Sequence, residues 1–104
     1  MIREIEDHRE QVAELCQRYG VRRLEIFGSA ARSEDFDPGR SDIDFLIDFN
    51  EGQIPKLDRY LGLQDELSEL LAHKVELAGR KAILNSRNHI RRNSILRDLE
   101  TVYG

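Results

Sequence analysis

A chain of 104 residues, 35% charged and 39% hydrophobic, is sized for one domain with one core and has no length to spare for a separate substrate-binding domain. Its formal charge of −4 argues against direct nucleic-acid binding, which favours a basic balance. Neither a signal peptide nor an apolar run long enough to cross a bilayer is present.

The acidity is local: residues 1–50 carry 12 acids against 7 bases, and residues 51–104 carry 8 against 9. Cys16 has no second cysteine to pair with, which suits a reducing compartment. The expectation is a single cytoplasmic domain spanning residues 1–104, with no membrane partner.

In chain order, Ile5, Val12, Leu15, Cys16 and Tyr19 recur at helical spacing up to Gly20, predicting an opening helix over Arg3 to Tyr19 with Cys16 on its core face. "RRLEIFG" reads as a strand ending at Gly28, and "SAARSE" as a short helix with Ser29 as its N-cap. Asp37-Pro38-Gly39 is turn chemistry, and "DIDFLIDF" is a second strand. After Pro55 a long helix runs through Leu57, Tyr60, Leu61, Leu67, Leu70 and Leu71. "KVELA" is a third strand, and Ile95, Leu96, Leu99, Val102 and Tyr103 predict a closing helix over Arg87 to Tyr103. Alternating helices and strands give a mixed α+β domain, a small three-stranded mixed sheet with about four helices.

The chemistry gathers in "IFGSAARSEDFDPGRSDIDFLIDF". Strand alternation puts Asp42 and Asp44 on one face, about 7 Å apart at their Cα atoms. Like charges at about 4 Å repel by roughly 1 to 4 kcal/mol, and a hard cation such as Mg²⁺, which takes carboxylate and phosphate oxygens, removes that penalty. Gly28 and Ser29 at a helix start let phosphate approach the backbone N–H groups, with the Ser29 hydroxyl adding a hydrogen bond. Either motif alone is more often a turn or a solvated strand end. Together, in this order of elements, they describe a nucleoside triphosphate and metal site.

"FGSAAR" and "SDIDFLIDF" resemble the minimal nucleotidyltransferase (MNT) family of the DNA polymerase β superfamily, whose signature is Gly-Ser, a spacer and Asp-x-Asp. The order of elements agrees over nearly the whole chain. The resemblance implies the nucleotidyltransferase fold, with Gly28 and Ser29 holding the triphosphate of ATP, and Asp42, Asp44 and Glu76 ligating two Mg²⁺ ions about 3.5 to 4 Å apart. Glu76 would also help deprotonate the acceptor, and Arg32 would reach phosphate unless it is only a solvated helix arginine. The resemblance further implies an antitoxin that transfers AMP to a tyrosine of a cognate HEPN-domain ribonuclease toxin. Two alternatives stand beside it: an antitoxin that neutralises its toxin by contact with little catalysis, and an adenylyltransferase for a small molecule such as an antibiotic.

Three departures bear on activity. Twelve residues separate Ser29 from Asp42, more than the family's usual interval, which enlarges the "SEDFDPGR" loop. Ser33 stands where the family often has Gly. The third acid is Glu rather than Asp, longer by roughly 1.5 Å, and displacements of about 1 Å can cost 10²-fold in rate. Elsewhere, Glu25 and Asp48 read as surface acids, and His8, His73 and His89 lack metal-ligand spacing. The acid-free basic run from Arg80 to Arg97, with Lys81, Arg87, Arg91 and Arg92 between, reads as a solvated face or a docking surface.

Overall fold

The computed structural model describes residues 2–32, 42–52 and 56–104. The elements are α1 (Arg3–Asp7), α2 (Arg9–Arg18), β1 (Val21–Phe27), α3 (Ser29–Arg32), β2 (Ile43–Phe49), α4 (Leu57–Leu71), β3 (Val75–Gly79), α5 (Arg80–Leu84), α6 (His89–Arg97) and β4 (Glu100–Tyr103). The expected turn at Asp37-Pro38-Gly39, Ser33 and Pro55 lie outside the described residues.

The opening helix is two helices. His8 leaves helical geometry (φ −115°, ψ 19°), its N–H closing onto the Ile5 carbonyl at 3.2 Å while its own carbonyl accepts from Val12 at 2.9 Å. The chain thus bends without losing either hydrogen-bond ladder, and the predicted apolar stripe of Ile5, Val12, Leu15 and Cys16 still reaches the core. Burial pushes the Cys16 thiol up to about 12, as befits a packing residue.

The sheet is mixed, as expected, but has four strands in the order β3-β2-β1-β4. β1 pairs antiparallel with both β2 and β4, whereas β2 and β3 are parallel, joined by the α4 crossover that a parallel pair requires. β4 is the correction: α6 stops at Arg97, and Thr101, Val102 and Tyr103 take the free edge of β1. These β-branched and aromatic residues favour a pleated surface, and extended geometry buries Val102 while leaving Thr101 exposed.

One sheet face makes the core: Leu24, Ile26, Ile43, Phe45, Ile47 and Val75 pack with Val12, Leu15 and Cys16 of α2 and Leu63, Leu67 and Leu71 of α4. Because side chains alternate along a strand and directly paired residues share a face, the other face carries Arg23, Glu25 and Phe27 of β1, Asp44, Leu46 and Asp48 of β2, and Glu76 and Ala78 of β3. No helix of the described residues is long and apolar enough to cross a membrane.

Candidate active site

The site lies on that second face, where β1 ends and β2 and β3 begin. Phe27 is paired with Asp44, and Asp44 with Glu76, so one row across three strands carries two carboxylates. The strand starts are aligned by the Ile43 N–H, which donates to the Lys74 carbonyl at 2.9 Å. Edge strand β3 is pinned from α4: Ser68 Oγ accepts from the Val75 N–H at 3.2 Å, and Gln64 Oε1 from the Leu77 N–H at 3.4 Å. Glu76 lies between these two anchors.

Gly28 takes φ +73°, a left-handed turn that glycine adopts without strain, and the turn brings the chain against the site, where a Cβ at this position would stand 3.4 Å from Asp44 Oδ2. Its carbonyl accepts from the N–H groups of Ala31 and Arg32 at 3.1 and 3.3 Å. α3 thus begins directly after the strand, with Ser29 as its first residue.

Electrostatically the site is strained. Asp44 is half-buried, and its carboxyl is pushed up to about 6, first by burial and then by the nearby charges of Glu76 and Asp42. Lys74 bridges the outer pair, its Nζ 3.8 Å from Asp42 and 3.7 Å from Glu76. Among the described residues no three acids, histidines or cysteines form a ready-made metal cluster. In kind, however, the donors suit a hard divalent cation: all are carboxylate oxygens, and an ammonium already sits between two of them. Asp44 and Glu76 line a cavity of about 360 Å³ with Phe27, Leu77, Ala78, Arg91 and Ile95.

The structure therefore brings Gly28, Asp44 and Glu76 together, with Asp42 at the edge through Lys74. Arg32 is engaged elsewhere, its Nη1 2.8 Å from Asp98 Oδ2. Glu25 is not a surface acid: it is 2% exposed, held by Arg80 Nε at 2.6 Å and Arg23 Nη2 at 3.3 Å. Arg80 lies just beyond β3 and reaches across the sheet, covering a position that strand alternation leaves on the solvent side. Asp48 remains half-exposed. Sequence reasoning gave Arg91 no individual place. The signal was its position one helical turn before Ile95, which is buried.

The family profile of the nucleotidyltransferase domain matches residues 8–100. A candidate protein adenylyltransferase of Methanocaldococcus jannaschii is 38% identical over 71 residues, 68% of this chain and 69% of that protein. Protein adenylyltransferase MntA of Thermococcus cleftensis is 39% identical over 70 residues, 67% of each chain. Among solved structures, a candidate minimal nucleotidyltransferase superposes with a TM-score of 0.66 at 31% identity, over 93% of this chain and 89% of that one. A chain of the complex between a tri-AMPylated HEPN toxin of Shewanella oneidensis and its MNT antitoxin gives 0.62 at 15% identity, covering 96% and 72%, a likeness of fold.

Proposed function

This chain belongs to the nucleotidyltransferase family, in its minimal, MntA-like branch, and we propose that it transfers AMP from ATP to a tyrosine hydroxyl of a cognate HEPN-domain toxin, acting as the antitoxin. That it is a nucleotidyltransferase follows from the family. AMP transfer from ATP to a protein is supported by relatives named as protein adenylyltransferases and a HEPN partner by structural neighbours from toxin–antitoxin complexes, while the tyrosine acceptor is what the resemblance to the minimal nucleotidyltransferase family implies.

The observation that carries the reading is the convergence of Gly28 on Asp44, with Glu76 in the same row. In this assignment Gly28 and Ser29 take the triphosphate. Asp42, Asp44 and Glu76 would hold Mg²⁺, which when bound neutralises charge on the phosphates and on departing pyrophosphate. The acceptor oxygen attacks the α-phosphorus in line, and the bond from that phosphorus to the bridging oxygen of the β-phosphate breaks. Glu76, whose side chain is 56% exposed, is open to the incoming hydroxyl and takes its proton, directly or through water.

The test is incubation with ATP labelled at the α-phosphate, Mg²⁺ and the product of the adjacent gene, which this reading expects to be a HEPN-domain protein. Label on a tyrosine of that protein is the expected result. A tight complex that stays unlabelled would instead assign neutralisation to contact alone.

A further inference from the structure

Arg91 is the guanidinium that the candidate site has not yet used. It lies on α6 one turn before Ile95, which is 7% exposed and fastens that helix face to the domain. Both residues line the cavity of about 360 Å³ that holds Asp44 and Glu76. The helix is fixed at both ends: Asn88 Oδ1 caps it by accepting from the Arg91 N–H at 3.1 Å, and Asp98 at its C-cap takes Arg32 of α3 at 2.8 Å.

Neighbouring cations are committed to other partners. Arg32 and Arg97 meet Asp98, Arg80 meets Glu25, Arg92 meets His89, and Lys74 lies between Asp42 and Glu76. Among the described residues the Arg91 guanidinium has no hydrogen-bond or ion-pair partner, although it borders the same cavity as two carboxylates. A nucleoside triphosphate entering a cavity bordered by Asp44 and Glu76 meets like charge, and charge on the transferring phosphoryl group is best stabilised by a donor already in position. A planar guanidinium fits phosphate oxygens in a two-pronged contact that a lysine ammonium does not reproduce.

We infer that Arg91, on the cavity wall formed by α6, binds the phosphoryl group being transferred, while Arg32 braces α3 against α6. This rests on the nucleotidyl-transfer reading above and adds a residue to it. Because the contact strengthens as charge develops, its loss acts on kcat more than on KM for the nucleotide.

The experiment compares wild type, Arg91→Ala, Arg91→Lys and Arg32→Ala with labelled ATP, Mg²⁺ and the HEPN-domain partner, with added guanidinium at non-denaturing concentration as a separate arm. The expected result is a fall in kcat of about 10²- to 10³-fold for R91A, a lesser fall for R91K, and partial rescue of R91A by guanidinium. R91A should keep the wild-type Tm, since its side chain is exposed, whereas R32A should lower Tm. R91A turning over like wild type overturns the inference. So does a loss accompanied by a lowered Tm and no rescue, or a defect confined to KM for the protein acceptor, which would make Arg91 a docking residue. A wild-type chain that binds no ATP and transfers nothing overturns the functional reading itself, and the inference with it.

Discussion

Asp44 and Glu76 stand directly opposite one another on adjacent parallel strands, and the half-buried Asp44 carboxyl is raised to about 6 by burial, by Glu76 and by Asp42. A folded-state value above the ordinary carboxylate range means that ionised Asp44 destabilises the metal-free fold. The penalty is absent below about pH 3, where both folded and unfolded chains are protonated, grows between about pH 4 and 6, and is fully felt above about pH 7. Asp44→Asn should therefore raise metal-free stability at pH 7.5 by about 1 to 2 kcal/mol, less than the full shift would give because the carboxyl is only half-buried and screened by solvent. The gain should shrink as pH falls from 6 towards 4. Denaturant unfolding of both proteins across this range checks it, and a D44N variant less stable than wild type at pH 7.5 contradicts it.

Mg²⁺ alone should reverse the same penalty. Binding to the native state only stabilises by about 2.7 kcal/mol at 100 times Kd, so Tm should climb with Mg²⁺ in the wild type. It should stay flat in a protein carrying both Asp42→Ala and Asp44→Ala. Since protonated Asp44 cannot ligate a cation, the wild-type response should weaken as pH falls below about 6. Thermal unfolding in a Mg²⁺ series at two pH values measures both effects.

Glu25 is a stability residue, and its substitution should read differently from substitutions at the site. Removing one member of a buried ion pair costs about 3 to 5 kcal/mol because the other is left uncompensated. Arg80→Met should approach that range, with Glu25 then facing Arg23 alone. Combining Arg80→Met with Glu25→Met should cost less than the two single changes added together. Chemical denaturation of the three variants forms the double-mutant cycle.

The longer third acid gives a further outcome. Glu76 is more than half exposed, so its carboxylate has room to retract, and Glu76→Asp should transfer AMP as fast as wild type or faster. An inactive but folded E76D, judged by transfer rate beside circular dichroism, would mean that the extra methylene is needed to reach the reacting atoms.

What could be read from the sequence was local. Asp42 and Asp44 follow from period-two alternation and Gly28 from the turn that ends its strand, each depending on residues within a few positions. Glu76, 32 positions beyond Asp44, is implied only by the resemblance to the nucleotidyltransferase family. Glu25 was misread because the Arg80 that covers it is 55 positions away, and alternation alone leaves that face of β1 to solvent. β4 was hidden because Leu99, Val102 and Tyr103 satisfy helical spacing as well as extended packing, and the decision fell to the open edge of β1. Arg91 gained meaning only when α6 was placed beside the cavity.

The most direct test of the account is the fate of the α-phosphate. With ATP labelled at that position, Mg²⁺ and the proposed HEPN-domain partner, a covalently labelled tyrosine and an equal amount of pyrophosphate are expected, both abolished by Asp42→Ala with Asp44→Ala. An unlabelled partner in a stable complex with the wild-type chain would contradict it, as would label appearing on the partner only in a parallel reaction with ATP labelled at the γ-phosphate.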